Sequence, residues 1–298
     1  MSKLGKHKKI IIGAAAVVVL AGGVLAIRAT QQSKTATLPT SGAAKPTVEK
    51  VLQVAHTQSY KPYDYVNDKG ESDGFEVQVL KAVDAKLPDY KFEYNPTSDE
   101  DLLIGLESGK YDIGTKGAWK TAEREQKFII PQEKIAASVI GLTFRTADKA
   151  KYSSLESFAK AGGKLIPISP QSGQYQVIVD FNQAHPKTPI QLDAADQFTI
   201  SDAYAWILEG RYDGFFDIKL SFDNSVLAKD GPYHDYADKL SYVPYKGIPT
   251  YPLIHKSSDN ETFAKAYDKA IKELEADGTL TKLSKEYFGE DVFSYLKD

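Results

Sequence analysis

LESGKYDIGTKGAWKTAERE, residues 106–125, contains the end of one predicted helix, a short strand and the beginning of a second helix. The segment that leads into it, SDEDLLIGLESGK, has the pattern of a helix with Ser98 as its cap, and YDIGTKG reads as a strand. Thr121 then supplies a hydroxyl that can accept a bond from a backbone N–H two or three residues further on, as helix N-caps do. Strands and helices that alternate at this spacing predict parallel strands covered by helices.

Arg124 is the unusual residue of this stretch, because the cap at Thr121 places it at the third position of the helix. The helix dipole disfavours a cation there, and capping boxes hold Glu or Gln at this position. Two interpretations follow from the residues alone. Arg124 binds an anion that arrives from solution, or it pairs with an acid such as its neighbours Glu123 and Glu125.

The same alternation continues on both sides of this stretch. Before it come a strand (VLQVAHT), a loop (SYKPYDYVNDKGESDG), a helix that starts near Phe75 and a strand (KFEYNP). After the long apolar strand ASVIGLTFRT the pattern starts again with SSLESFAKAG, KLIPIS, SGQYQVIVDFNQA, PIQLD, ISDAYAWILEGR and YDGFFDI, read alternately as helix and strand. Two such runs predict two α/β lobes.

The chain is expected to cross between these lobes twice, near residues 144–147 and again near residues 245–248. The C-terminal helices then return to the first lobe, so we expect lobe 1 to hold residues 51–144 and 248–298 and lobe 2 to hold residues 145–247. Two connecting strands form a hinge, and clefts between lobes are preferred ligand sites.

The N-terminus predicts a membrane segment. Lysines at positions 3, 6, 8 and 9 precede residues 10–27, an uncharged run of 18 residues. This run is longer than a typical signal-peptide core and about the minimum for a spanning helix, so residues 1–28 fit an uncleaved signal anchor better than a cleaved signal peptide. Residues 29–50, rich in Thr, Ser, Ala and Lys, predict a flexible linker, and the rest of the chain is expected outside the cell.

Composition excludes several classes of function. The chain has 298 residues, 42% of them hydrophobic, and a net charge of −3. Its first 30 residues hold five bases and no acid, so the remainder carries 32 bases against 40 acids, a net charge of −8 that argues against nucleic acid as a partner. With no cysteine, disulfides, thiolate nucleophiles and lipid anchoring are excluded. The five histidines are scattered, and we expect no metal and no cofactor.

Four segments occur in the order typical of one protein family. They are SDGFEVQVLKAV (72–83), LESGKYDIGTKGAWKTAERE (106–125), ILEGRYDGFFD (207–217) and IKELEADGTLTKLSKEYFGED (271–291). Together they resemble the bacterial extracellular solute-binding proteins of family 3, which serve polar amino acid ABC transporters. The resemblance covers roughly residues 50–295. It implies an α/β protein of the type II periplasmic-binding-protein fold, with two lobes, a two-strand hinge and the ligand cleft between the lobes.

The resemblance also implies a clamp for the zwitterionic head of an amino acid. Arg124 stands at the family's carboxylate-binding position, and a guanidinium can hold a planar carboxylate by two parallel bonds. Asp217, at the end of the YDGFFD strand, stands at the position that binds the α-ammonium. Asp202 and Asp213 are competing acids nearby, although Asp213 fits the turn before the strand better.

Main-chain groups from both lobes are expected to complete the binding site for the zwitterionic head. Lys116 and Gly117 follow the YDIG strand, and glycine allows a ligand to approach the backbone closely. Ser172 and Gly173 precede a helix whose first N–H groups can bind a carboxylate. An ordinary N-cap is the alternative interpretation for Ser172, and it is compatible with the first.

Two aromatic residues are expected to shape the pocket. Tyr60 matches the family's ligand-stacking aromatic, with a packed loop residue as the alternative. Trp119 departs from the family, because many relatives have Ser or Thr there, donating to the ligand carboxylate. An indole N–H cannot replace that short hydroxyl bond directly.

The resemblance implies a non-enzymatic receptor whose lobes close on an amino acid and which then docks on a membrane permease; we expect it to be a monomer. The run WKTAEREQKFIIPQEKIAAS is closest to the subgroup for L-cystine and related sulfur amino acids, and His56, Gln58 and Glu133 are candidates for contacting a second polar end. One alternative is an enzyme on the same fold, such as a cyclohexadienyl dehydratase, with Glu76 or Glu133 as the acid. Another is a surface adhesion protein.

Overall fold

The computed structural model describes residues 49–170, 172–194 and 198–296. The predicted anchor, residues 1–28, and residues 29–48 of the predicted linker lie outside this range. Among the helices that are described, none is long and apolar enough to cross a membrane. The strands are β1 Lys50–Thr57, β2 Ser59–Tyr60, β3 Asp64–Val66, β4 Ser72–Asp73, β5 Tyr90–Thr97, β6 Ile113–Thr115, β7 Ala136–Arg145, β8 Phe215–Ile218, β9 Leu240–Thr250 and β10 Leu253–Ile254. The α-helices are α1 Phe75–Lys86, α2 Asp99–Ser108, α3 Ala122–Lys127, α4 Leu155–Lys160, α5 Gly173–Ala184, α6 Ile200–Leu208, α7 Lys219–Phe222, α8 Ser258–Ala276 and α9 Thr279–Phe288.

The first sheet has the strand order β10-β6-β1-β5. Strands β5 and β6 are both parallel to β1, and β10 is antiparallel to β6. Alternate residues of β1 such as Leu52 and Val54 are fully buried and pack with Leu80 and Val83 of α1 and with Tyr267 of α8. The parallel strands predicted around residues 106–125 are therefore confirmed for this sheet.

A small antiparallel sheet, β2-β3-β4, occupies the segment that was predicted as a loop before α1. It ends at Gly74, whose φ is 112°. A Cβ on Gly74 would lie 2.4 Å from the carbonyl oxygen of Tyr63, so the backbone is too close for any other residue. Helix α1 starts immediately afterwards at Phe75, as predicted.

The second sheet has the order β8-β7-β9, and both of its pairings are antiparallel. Here the sequence-based expectation of parallel strands is wrong. The predicted strands KLIPIS and PIQLD form only isolated parallel bridges, Leu165 with Gly214 and Ile168 with Ala194. Pro167 lacks the N–H that a ladder needs, which keeps this segment from pairing continuously.

Strands β7 and β9 run side by side between the two sheets' cores. They pair from Ala136 with Thr250 to Arg145 with Leu240. Ala136 packs in the core of the first sheet, whereas Ile140 packs in a second core with α4 and α5. The architecture is thus the predicted two-lobed α/β fold, and the exact lobe boundaries at residues 144 and 248 stay a prediction.

Candidate functional site

Six of the eight predicted site residues line one cavity of about 540 Å³. They come from the β2 turn, from the segment between β6 and α3, from α3 itself and from the start of α5. This group consists of Tyr60, Gly117, Trp119, Arg124, Ser172 and Gly173. We call this space the Arg124 pocket.

Arg124 is held as the sequence predicts, at the third position of α3. Its backbone N–H donates to the Thr121 hydroxyl at 3.2 Å, which confirms the N-cap. The guanidinium is half-buried, and its Nη1 donates to the carbonyl oxygen of Trp119 at 2.6 Å. Burial lowers the pKa of Arg124 from its ordinary value, while Asp99 and Glu123 act in the opposite direction.

Both acids next to Arg124 are engaged by lysines. Glu123 lies 3.4 Å from Nζ of Lys127, and Glu125 lies 2.7 Å from Nζ of Lys120. Across residues 49–170, 172–194 and 198–296, no carboxylate lies within ion-pair distance of Arg124. The guanidinium is therefore available to an anion in the pocket.

Trp119 lies against the first turn of α5. A Cβ on Gly173 would be 2.2 Å from Cζ3 of the indole, so the ring occupies the space that a side chain at position 173 would fill. The backbone of Trp119 also forms an antiparallel bridge with Thr250 at the end of β9. Trp119 thus connects the segment before α3 with the second core, where it packs at the edge.

Gly117 adopts a φ of +61°, which favours glycine, and its N–H donates to Oε2 of Glu76 at 3.0 Å. That N–H is already satisfied inside the protein. The space beside Gly117 is taken by Tyr60, whose Cε1 would lie 2.8 Å from a Cβ at that position. Tyr60 also stacks on Tyr63 with ring centroids 5.1 Å apart, so it is a packed residue that still lines the pocket.

Ser172 is an N-cap. Its hydroxyl accepts the Tyr175 N–H at 3.2 Å and donates to the Ser169 carbonyl at 2.8 Å. The alternative interpretation of Ser172 as a cap is correct, and the cap brings the beginning of α5 to the pocket. The first N–H groups of a helix have no acceptor within it, so they are donors for an anion here.

Asp217 and Lys116 line two neighbouring cavities rather than the Arg124 pocket. Asp217 lies in a cavity of about 610 Å³ that shares Ser172 and Gln174 with the pocket, and it accepts the Gln174 Nε2–H at 2.9 Å. Burial raises the pKa of Asp217. Lys116 lies in a cavity of about 590 Å³ that shares Tyr60 with the pocket, and it is ion-paired with Asp99.

Gln174 is a site residue that the sequence reasoning missed. It lines both the Arg124 pocket and the Asp217 cavity, and its amide bonds the Asp217 carboxylate. A signal existed, because Gln174 follows the predicted cap Ser172 by two positions and therefore lies in the exposed first turn of α5.

Glu76 was considered only as an enzymatic acid, yet it is a buried support beneath the pocket. Besides the Gly117 N–H it accepts the Thr250 hydroxyl at 2.8 Å. Its position four residues before Leu80 and seven before Val83 places it on the buried face of α1, which was the signal for a structural role. Burial raises its pKa.

The three residues that were candidates for contacting a second polar end of the ligand do not line the Arg124 pocket. His56 is fully buried, with Nε2 at 2.7 Å from the Ser72 hydroxyl. Gln58 lines the cavity that contains Lys116. Glu133 pairs with Lys272 at 3.3 Å. No cluster of three or more potential metal-ligating side chains occurs in the part of the chain that the structure describes.

Comparisons with known proteins point to one family. The family model "Bacterial extracellular solute-binding proteins, family 3" matches residues 52–290. The L-cystine-binding protein TcyJ of Bacillus subtilis is 30% identical over 229 residues, covering 76% of this chain and 80% of TcyJ. The L-cystine-binding protein TcyA of the same organism is 26% identical over 243 residues, covering 81% of this chain and 82% of TcyA.

Solved structures show the same fold at low sequence identity. The unliganded, open L-cystine solute receptor of Neisseria gonorrhoeae has a TM-score of 0.59 and 22% identity, covering 84% of this chain and 97% of the receptor. The probable amino-acid ABC transporter extracellular-binding protein ytmK of Bacillus subtilis has a TM-score of 0.62 and 22% identity, covering 82% of this chain and 99% of ytmK. The two-lobed α/β fold predicted from the sequence is confirmed by these neighbours.

Proposed function

The chain belongs to the bacterial extracellular solute-binding proteins of family 3, and on this premise we propose that it is the amino acid receptor of an ABC importer, with L-cystine or a related sulfur amino acid as its ligand. The observation that carries the proposal is Arg124, a half-buried cation in a cavity at the family's carboxylate position, with both neighbouring acids held by lysines. The relatives that bind L-cystine support the choice of ligand.

The ligand's head is bound by opposite charges from two elements. Arg124 takes the α-carboxylate, helped by the first N–H groups of α5. Asp217 binds the α-ammonium. Its carboxylate then gives up the hydrogen bond that it now accepts from the Gln174 amide. Both ends of the zwitterion gain charge-assisted bonds only when α3 and β8 are close, so the ligand binds the closed form better than the open form.

Two aromatic rings frame the ligand's side chain. Tyr60 and Trp119 line the Arg124 pocket from different segments. Sulfur makes favourable contacts with aromatic rings, which fits a disulfide or thioether ligand. The Trp119 ring lies on Gly173, so its size limits which ligands enter.

The closed receptor then docks on a membrane permease, and we expect it to act as a monomer. Residues 10–27 would tether it to the outer face of the membrane as an uncleaved anchor. The protein itself catalyses no reaction. In support of this, neither acid considered for an enzyme, Glu76 or Glu133, lines the Arg124 pocket.

Thermal-shift screening of the full-length chain, purified in detergent, against the amino acids tests the proposal. L-Cystine and prephenate are included. A ligand that binds only the folded state adds about 2.7 kcal/mol to the free energy of unfolding at roughly a hundredfold excess over its Kd. No shift with any amino acid would contradict the receptor function, and turnover of prephenate would favour the enzyme.

Substitution Arg124→Ala tests the site. We expect ligand binding to weaken by about 2 to 5 kcal/mol, because the ligand carboxylate loses its partner in a closed cleft. The exposed residue Arg211 stacks on Trp206 outside the pocket, so Arg211→Ala is the control and should bind normally. If Arg124→Ala instead unfolds the empty protein, Arg124 is structural and the site is misassigned.

A further inference from the structure

The cavity that contains Lys116 lies at the carboxyl ends of the parallel strands of the first sheet. Thr57 ends β1, Thr97 ends β5, and Lys116 follows β6; all three line this cavity of about 590 Å³. Ligands of open α/β sheets commonly bind outside the carboxyl ends of the strands. Tyr60 lines both this cavity and the Arg124 pocket, so the two spaces adjoin at this residue. We call this space the Lys116 cavity.

The Lys116 cavity carries one fixed charge of each sign. The ammonium of Lys116 contacts the carboxylate of Asp99, with 13% of the Lys116 side chain exposed and 59% of the Asp99 side chain exposed. The Thr57 hydroxyl, also on the cavity wall, is buried and has no hydrogen-bond partner among the described residues. Lys116 and Asp99 can therefore bind the two charges of a second zwitterion, and the Thr57 hydroxyl can form one further hydrogen bond.

The cavity on the other side of the Arg124 pocket does not offer this combination. It is lined by the acids Asp202 and Asp217, and its described lining includes no lysine or arginine. A carboxylate placed there would face like charges. Of the cavities that contain Asp217 and Lys116, the Lys116 cavity is therefore the one suited to a second amino-acid head.

We propose that Lys116 and Asp99 form a second subsite, which binds the distal α-amino-acid group of a ligand with two zwitterionic heads joined by a short linker such as a disulfide. The proposal rests on the amino acid receptor function stated above. The two α-carbons joined by a disulfide lie about 4.4 to 6.8 Å apart, so the second head of such a ligand stays close to the first and falls in an adjoining space. The distal carboxylate binds Lys116 and the distal ammonium binds Asp99.

When the ligand binds, the ion pair between Lys116 and Asp99 is replaced by two ion pairs, one from each residue to the ligand. Because much of Asp99 is exposed, separating the pair costs little, and the two new charge-assisted bonds outweigh it. Ligands with one head, such as S-methyl-L-cysteine, would leave the pair intact. The subsite therefore raises affinity for two-headed ligands alone.

Isothermal titration calorimetry of the full-length chain with L-cystine and with S-methyl-L-cysteine tests the subsite. We expect Lys116→Met and Asp99→Asn each to weaken L-cystine binding by about 10- to 100-fold and to leave S-methyl-L-cysteine binding within about twofold. Lys86→Met is the matched control, since Lys86 pairs with Asp277 on the surface and lines neither the Arg124 pocket nor the Lys116 cavity, and it should change neither affinity.

The outcomes separate the subsite from the receptor function. Equal losses for both ligands, or unchanged L-cystine binding in both variants, would overturn the subsite and leave the receptor function standing. Failure of the unsubstituted chain to bind either compound would overturn the proposed sulfur amino acid ligand and the subsite together. Unchanged S-methyl-L-cysteine binding in the variants also shows that they are folded.

Discussion

At the third position of α3, Arg124 places a positive charge at the positive end of the helix dipole. The sequence predicted this position from the Thr121 cap, and it left Glu123 open as a partner of Arg124, whereas in the structure Glu123 pairs with Lys127 at i, i+4. The sequence could not show that Lys127 also reaches Glu107 at 3.2 Å, because that contact depends on how α3 packs beside α2. These lysine contacts are what leave Arg124 without a carboxylate partner among the described residues.

At Gly173, one added methyl group should lower the stability of the protein. Its Cβ would lie 2.2 Å from the Trp119 ring, below any real contact distance. We expect Gly173→Ala to lower the free energy of unfolding by about 1 to 3 kcal/mol, the usual cost of overpacking. Urea unfolding of the full-length chain measures this cost.

The same substitution in a Trp119→Phe background is the control. Phenylalanine lacks the second ring of the indole, so the methyl group has more room and its cost should fall by more than half. A double-mutant cycle isolates the coupling between the two positions. An equal cost in both backgrounds would mean that Trp119 does not meet the new side chain.

At the scale of elements, a buried pair of carboxyl groups joins β3, α1, β6 and β9 beneath the pocket. Asp64 accepts the Thr115 hydroxyl at 2.7 Å, and Glu76 accepts donors from Gly117 and Thr250. Oδ2 of Asp64 has no hydrogen-bond partner among the described residues, and burial and the neighbouring Glu76 carboxyl group raise the pKa of Asp64. Because a carboxylate can only accept hydrogen bonds, we expect the two groups to share a proton.

This shared proton predicts how stability depends on pH. Burial and the neighbouring Glu76 raise the pKa of Asp64 well above its ordinary value. The folded pair therefore keeps a proton at pH values where the unfolded carboxyls have lost theirs, and the free energy of unfolding falls as the pH rises above about 4. The fall is at most about 1.4 kcal/mol for each pH unit over which the proton is held.

Asp64→Asn removes the titration while keeping the geometry, since the amide can donate to Glu76 and accept from Thr115. We expect the variant to lose less stability than the unsubstituted chain between pH 5 and pH 8, as measured by urea unfolding at each pH. Asp89→Asn, at an exposed surface position, is the control and should keep the original slope. Parallel slopes for Asp64→Asn and the unsubstituted chain would contradict a shared proton.

Elements with strong local signals were predictable, and those that depend on tertiary pairing were not. Ser98, Thr121 and Ser172 are caps in the structure because their side chains bond nearby N–H groups, which is a local property. The strand pattern of KLIPIS suggested a ladder, but only isolated bridges form, because Pro167 lacks the N–H that would continue the pairing. For the site, family motifs indicated which residues meet, but the separation of Arg124, Asp217 and Lys116 into adjoining cavities depends on packing.

At the scale of the whole molecule, β7 and β9 run from the first core to the second. Ligand binding between lobes is then a shift of population toward the form in which both lobes contact the ligand. Trp119 is placed to report that shift. It follows β6 in the chain but packs against α5, so its surroundings change if the lobes move apart.

The two tryptophans allow this motion to be measured. In a Trp206→Phe background Trp119 is the remaining tryptophan, and we expect its emission to shift to shorter wavelength when L-cystine is added, because closure removes water from the indole. Trp206 contacts the Phe198 ring and the Arg211 guanidinium and does not line the Arg124 pocket. The Trp119→Phe variant, which retains Trp206, should therefore show little change in emission at saturating ligand.

If L-cystine binds by calorimetry and the Trp119 emission does not shift, closure does not change the contact between Trp119 and Gly173. The hinge would then have to bring Asp217 to the ligand by another path.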